Sequence, residues 1–421
     1  MSLRVLFAIV ALVFASLLPT AASRVVPTSR LAAGQTSAKA EKTKGPVEIP
    51  FELANRHIML KVKVDGSRPL SFVLDTGDKY AILDMDRAKE LGLKLQGRIR
   101  VGGAGAGTQT GAFVEGSNFT IPGFEGFVQP IRMALPIGHM AQGFGQAFDG
   151  IIGYDFIKEF VVEVDYQARV IKLHDKDNFT YSGPGESIPI SLDSPGHGSG
   201  HPILEAEVTP TGGSPIKGKY VLDIGSGMAL ALHSPFVKEH SLLAPERKTI
   251  RAFGAGAGGE INARLGRVSE LKIGKFKIPN PVTLFSEDTA GAFANQALAG
   301  NIGAQITGKF KIFLDYGRSR IIFEPNSNFS EPFERSSAGL RVYAEGTDFR
   351  IFRVKNVLED SPASEAGFKQ DDIITTIDGK PAAQFTLTKL NELFEKPVSY
   401  KVAIQRGEQT MTVRLTPRKL I

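Results

Sequence analysis

Two stretches of this 421-residue chain are versions of one another, and each ends an apolar run in Asp-x-Gly. The first is Phe72-Val73-Leu74-Asp75-Thr76-Gly77-Asp78, and the second is Tyr220-Val221-Leu222-Asp223-Ile224-Gly225-Ser226. Such a run predicts a buried strand that delivers a carboxylate to a tight turn, where glycine lets the backbone fold back under the aspartate. The likeness extends well beyond the two turns. Residues 100–107 resemble 251–258, Gly150-Ile151-Ile152-Gly153 matches Gly300-Asn301-Ile302-Gly303, and residues 160–166 match 310–316. Blocks that keep their order at a period of about 150 residues mean duplicated domains, not a solenoid of short repeats. A duplicated pair closing about a pseudo-twofold axis brings its two carboxylates together.

The pattern between these blocks is mostly strand. Residues 58–64 are apolar-rich and partly alternating before a turn at Asp65-Gly66, and residues 169–173 and 320–323 close the two halves as strands. Helices are short. One is expected over 84–91, capped by Asp84 and ended by Gly92. Residues 183–200, rich in Pro, Gly and Ser, open the second half.

The N-terminus has the form of a secretory signal over 1–23. Arg4 supplies the charge, residues 5–18 the apolar core and Ala21-Ala22-Ser23 the small residues for cleavage. Residues 24–46 read as a flexible leader. The chain has no cysteine, so neither a disulfide nor a cysteine-linked lipid is available, a composition that fits a bacterial envelope. The expected location is therefore exported, periplasmic or extracellular, with no stable membrane span after signal cleavage. The net charge of +6 is spread among 44 acidic residues with no basic stripe, which excludes a nucleic-acid reading.

The last ninety residues or so form a different module. Residues 352–357 read as a strand, and Ser361-Pro362 opens a capped short helix ended by Gly367. Residues 371–380 run into a turn at Asp378-Gly379, residues 387–394 make an amphipathic helix, and two strands flank Arg406-Gly407-Glu408. The order Ser-Pro-Ala-x-x-Ala-Gly, Asp-Asp-Ile-Ile, Ile-Asp-Gly-Lys-Pro over 335–421 resembles a PDZ domain of the bacterial type. That resemblance implies binding of peptide C-termini as an added strand, with a carboxylate loop at Gly339, Leu340, Arg341 and Val342.

The duplicated region resembles the retropepsin/pepsin-like aspartic proteases. In that family each lobe carries an apolar-apolar-Asp-Thr/Ser-Gly turn and a later apolar-apolar-Gly packed beneath it. The resemblance implies a mostly β, two-lobed fold, with lobe 1 over 47–183 and lobe 2 over 184–330, followed by the PDZ domain. It implies an endopeptidase acting on peptide or protein substrates, without metal or other cofactor. Asp75 and Asp223 would be the catalytic pair, supported by Thr76, Gly77, Gly225 and Ser226, and Gly103, Gly105, Gly254 and Gly256 would lie in the substrate-covering flaps. A non-catalytic peptide-binding envelope protein built on the same frame is the alternative.

Three residues depart from the family pattern. Ile224 lacks the hydroxyl that would reach across to the other lobe. Asp78 puts a third carboxylate beside the pair, either raising its pKa values or turning to solvent. Asn301 puts an amide where an apolar residue should pack. Other motifs carry less. Residues 254–259 fit G-x-G-x-x-G but lie inside a repeated strand block, so a pliant hairpin is expected in place of a nucleotide loop. His197 and His201 sit among glycines and prolines, where helix-type metal spacing has no meaning.

Overall fold

The computed structural model describes residues 9–10, 45–192, 200–333 and 336–421. All of the expected signal peptide except residues 9–10, and nearly all of the leader, lie outside the described residues, as does His197. The fold is mostly β, as the duplication predicted. Within the first repeat one strand order runs Gln129–Pro130, Asn118–Thr120, His57–Val64, Leu70–Leu74, Gly150–Ile152, Ile82–Asp84, Met133–Leu135, Thr108–Val114, Leu95–Gly102. The second repeat has the same order: Phe276–Pro279, Glu270–Ile273, Ile203–Thr209, Ile216–Asp223, Gly300–Gly303, Leu230–Leu232, Val282–Ser286, Gly259–Arg267, Ile250–Gly256.

A third sheet joins the halves, in the order Glu186–Pro189, Arg320–Pro325, Phe310–Asp315, Phe160–Asp165, Val170–Asp175, Val47–Pro50. At its centre Val162 pairs with Leu314, Glu163 with Phe313 and Val164 with Ile312. Equivalent residues of the two repeats thus cross in one register, which puts the pseudo-twofold axis between these strands. The Gly/Ser-rich opening of the second half is not all loop, because Glu186–Pro189 pairs with Arg320–Pro325. One apolar cluster runs through both repeats, from Leu60, Phe72 and Leu74 to Leu222, Ile302 and Phe310.

Local rules hold where they act over a few residues. Asp84 caps the helix Met85–Glu90 by accepting from the Asp86 and Arg87 N–H groups, and Gly92 follows at φ +66°. In the C-terminal unit Ser361 and Thr386 cap their helices, and Asp378-Gly379 turns with both φ values positive. That unit has a sheet ordered Leu340–Glu345, Ile351–Val357, Ile373–Ile377, Tyr400–Arg406, Gln409–Leu415, with helix Leu387–Phe394 packed into its own core.

The C-terminal unit is docked on the repeats. Thr388 Oγ1 accepts from the Asn55 N–H at 3.1 Å, and Arg56 pairs with Glu395 at 2.9 Å. Segment Ala141–Phe144 of the first repeat lies against strand Leu340–Glu345, which has one sheet partner among the described residues. Gly145 (φ +72°) lies so close to Leu387 that a Cβ on it would stand 2.4 Å away. The connecting segment is also pinned: Lys309 Nζ donates to the Asn328 carbonyl and Arg267 to the Phe333 carbonyl. No helix among the described residues is long and apolar enough to cross a membrane.

Candidate active site

Strand Leu70–Leu74 is fully buried and lies parallel to Gly150–Ile152, with the Asp75 N–H donating to the Ile152 carbonyl at 2.9 Å. The second repeat repeats this with Ile216–Asp223 beside Gly300–Gly303. Each Asp-x-Gly turn is held from below by a glycine that cannot carry a side chain. A Cβ on Gly153 would stand 2.2 Å from the Asp78 carbonyl oxygen, and one on Gly303 would stand 2.8 Å from that of Ser226.

The two turns meet. The Asp75 and Asp223 carboxyl groups lie side by side, and both are completely buried, with Asp75 Oδ2 and Asp223 Oδ1 lacking a partner. Their Oδ1 atoms lie 3.0 and 3.2 Å from the single point where a Cβ on Gly77 would stand. On the other side, a Cβ on Gly225 would collide with the Asp75 carboxyl at 2.0 Å. The glycines are therefore needed for close approach as well as for the turns. Gly77 N–H donates to Asp75 Oδ1 at 2.6 Å. Ser226, also buried, contributes its backbone N–H toward Asp223.

Thr76 crosses between the repeats. Its Oγ1 donates to the Leu222 carbonyl at 2.5 Å and accepts from the Ile224 N–H at 3.0 Å. Ile224 makes no return bond, and its side chain is buried in the main core. Asp78 turns inward, 3 % exposed, with Oδ2 lacking a partner. Asn301 is not a packing fault. Its Nδ2 donates to Asp223 Oδ2 at 2.9 Å, and its Oδ1 faces His233 Nε2 at 2.8 Å.

Burial is the first cause of every shift in this cluster. It raises Asp75 well above the ordinary carboxylate range, with further upward pushes from Asp223 and then Asp78. Burial raises Asp78 too, partly countered by the Lys79 N–H. Asp223 is pushed up to about 7 by burial, and the Asn301 amide is the strongest of the bonds pulling it back. Burial lowers His233 to about 4. Carboxylates this close in an apolar site cannot all ionise, so they hold a proton between them.

The glycine-rich hairpins meet tip to tip. Gly107 N–H donates to the Gly258 carbonyl at 2.7 Å, and Gly258 N–H donates to the Ala104 carbonyl at 2.8 Å. Gly105 lies in the first tip, and Gly103 accepts from the Ala292 N–H at 3.0 Å. Gly254 and Gly256 instead lie within strand Ile250–Gly256, and the second tip is made by Ala257 and Gly258. The contact residue was missed because glycines alternate all along this stretch. The same hairpin overturns any nucleotide-loop reading of 254–259, since strand follows it, not helix.

In the C-terminal unit Gly339 turns at φ +75°, but Leu340, Arg341 and Val342 already belong to strand Leu340–Glu345. Arg341 is 3 % exposed and stacks on Tyr343. Burial lowers its pKa, and its Nε has no hydrogen-bond partner. Among the described residues no group of three or more His, Asp or Glu is placed to hold a metal.

Comparison with known proteins adds to this geometry. The aspartyl protease family matches over residues 60–156. The aspartic proteinase of Irpex lacteus is similar in structure over 68 % of this chain and 99 % of that one, at 10 % identity and a TM-score of 0.42. The PDZ domain of HtrA3, solved with a phage-derived ligand, is similar over 19 % of this chain and 82 % of that domain, at 20 % identity and a TM-score of 0.18. Serine protease HTRA1 of Xenopus laevis is 33 % identical over 67 residues, and the chain spans only 14 % of that relative's length.

Proposed function

We propose that this protein is an aspartic-type endopeptidase whose C-terminal PDZ-like unit binds peptide C-termini. The observation that carries the reading is the pair of buried, adjoining carboxylates, Asp75 and Asp223, delivered by two equivalent turns. With one proton between them, the ionised member takes a proton from a water whose oxygen attacks the peptide carbonyl carbon. The protonated member gives its proton to the carbonyl oxygen. Collapse of that tetrahedral species breaks the C–N bond as the nitrogen receives a proton, leaving a carboxylic acid and an amine. The carboxylates are 0 % exposed, so substrate entry requires the chain around them to open, and this reading places the opening at the hairpin tips, where the Gly107–Gly258 and Gly258–Ala104 bonds would part.

Export belongs to the same proposal, resting on the apolar stretch 5–18 and the small residues after it. N-terminal sequencing of the protein from its native host tests it, and an intact Met1 in the mature protein overturns it. The activity is tested by incubating the purified protein with a peptide mixture and reading new termini by mass spectrometry, beside Asp75→Asn and Asp223→Asn. Cleavage that survives both substitutions defeats the aspartic reading. Peptide binding without turnover selects the non-catalytic reading, which the unreciprocated Thr76 bridge at Ile224 favours.

A further inference from the structure

The two repeats place different groups beneath their aspartates. In the first, Ile151 sits opposite Ile82; in the second, Asn301 sits opposite Ala231. One residue past the pairing partner's neighbour, the same register puts Asp84 in the first repeat where His233 stands in the second. Both begin a helix. Asp84 turns to the helix end and caps it, whereas His233 makes no side-chain cap. Its ring lies 5.4 Å from that of Phe293 and its Nε2 meets Asn301 Oδ1. Asn301 and His233 are each 2 % exposed.

A buried amide or imidazole is costly unless its polar atoms are matched. Here His233 Nδ1 is left without a partner, and the matching at Nε2 has a direction. A neutral His233 donates from Nε2–H to Asn301 Oδ1, which turns the Asn301 NH2 toward Asp223 Oδ2. An N–H donor stabilises an ionised carboxylate more than a neutral one. Asp75 Oδ2 has no hydrogen-bond partner of this kind. Among the described residues Asp75 is held by the Gly77 backbone N–H alone, whereas Asp223 also has the Asn301 amide, so the chain is asymmetric about its own twofold axis in having a side-chain donor to the anion on one side.

We propose that Asn301 and His233 are positioning residues that fix the pair's negative charge on Asp223 and leave the shared proton on Asp75. Resting on the peptidase reading, this assigns the roles: Asp223 takes the proton from water, and Asp75 gives its proton to the carbonyl oxygen. The electrostatics agree in direction: burial raises both aspartates, the charges of Asp223 and Asp78 push Asp75 further up, the Asn301 amide pulls Asp223 back, and burial keeps His233 neutral down to about 4. Among the described residues, the other ionisable groups facing the pair are Asp78, which pushes Asp75 up and is itself raised by Asp223, and Tyr316, whose own ionisation Asp75 opposes. Next to His233, Ser234 Oγ donates to the Asp288 carbonyl, and the Asn295 backbone faces the ring.

The test uses the full chain with Asn301→Ile, His233→Phe and the double variant, which removes both ends of the bond together and guards against misfolding from a stranded partner. Two measurements are made: the pH dependence of kcat/KM, and an infrared titration of the buried carboxyl band, isolated by subtracting the Asp223→Asn spectrum. Asn301→Ile and the double variant should move the pH–rate curve and the infrared midpoint upward by about one pH unit. His233→Phe should move them less, and its effect should vanish when Asn301 is already Ile. A fall in kcat with curve and midpoint unmoved overturns the relay and leaves only a structural role. If Asp75→Asn and Asp223→Asn leave turnover intact, the peptidase reading fails by itself, and the infrared midpoint still decides the relay.

Discussion

The first and second repeats share strand order, turn geometry and a glycine beneath each turn, yet they differ in where polarity is spent. The first keeps the hydroxyl of Thr76, which bridges to Leu222 and Ile224, and sets apolar Ile151 below its aspartate. The second replaces the hydroxyl with Ile224 and puts Asn301 and His233 below. Position 78 is a carboxylate in the first repeat, and its counterpart Ser226 is a small hydroxyl in the second. The difference teaches that the backbone frame is what duplication preserved. The groups that tune charge are divided between the copies, so neither half alone is a complete site.

The largest effect should come from the aspartates themselves. Asp75→Asn and Asp223→Asn should each lower peptide turnover by about 10²–10⁴-fold, the usual scale for losing a positioned acid or base. Stability should respond with the opposite sign. Asp223 is raised from 3.8 to about 7 in the folded chain, so its contribution is fully present below its unfolded value and is lost as pH rises through about 7. The melting temperature of Asp223→Asn should therefore match wild type near pH 4 and exceed it at pH 8. His233 runs the other way. Its pKa falls from 6.5 to about 4, so its contribution is present above 6.5 and is lost as pH falls toward 4. His233→Phe should remove that acid-side loss, which thermal melts across this window would read.

A second asymmetry lies in docking. Asn55 and Gly145 of the first repeat meet the C-terminal helix Leu387–Phe394, Arg56 pairs with Glu395 at its C-cap, and segment Ala141–Phe144 lies against the edge strand Leu340–Glu345. An extended peptide adding to that edge would have to displace the segment. Gly145→Leu places a side chain where Leu387 stands and is strained at φ +72°. It should loosen the contact and raise the affinity of the C-terminal unit for a peptide with a free carboxylate by about tenfold. Calorimetry on the full chain measures this, and equal affinity in both proteins would mean that the segment does not guard the edge.

Asp78→Ser makes the first repeat resemble the second and should act more mildly. Asp78 pushes Asp75 upward, so its loss should lower the upper limb of the pH–rate curve by about half a unit to one unit. Stability near pH 8 should rise, because one fewer buried carboxyl resists ionisation there. An unmoved limb would show that Asp78 stays neutral and silent throughout the range.

Much of this was legible in the sequence because it is local. The Asp-x-Gly turns, the Asp84 cap, the Asp378-Gly379 turn and helix Leu387–Phe394 depend on neighbours within a few residues. The repeat carried the rest of the fold, since two copies of one pattern must pack by one plan. The Asn301 contact was not legible. Asn301 looks like an error until His233, 68 residues away in sequence, is seen beside it. The tip contact at Gly258 and the docking of the C-terminal unit escaped for the same reason. They join segments whose proximity no local pattern encodes.

The smallest effect should come from restoring the second hydroxyl. By the twofold relation, a threonine at 224 would face the Leu74 carbonyl and the Thr76 N–H, as Thr76 faces Leu222 and Ile224. Two terms then oppose each other. A new buried hydrogen bond contributes about 0.5–1.5 kcal/mol. Against it, Ile224 is fully buried in the core, and trimming it loses apolar burial at about 0.8 kcal/mol per CH₂ group. Ile224→Thr should therefore shift stability by less than about 1 kcal/mol, with turnover within about threefold of wild type. Denaturant unfolding and peptide turnover measured side by side check this. A large gain in both would mean that the missing hydroxyl limits the site, and that symmetry counts for more here than the division of labour between the repeats.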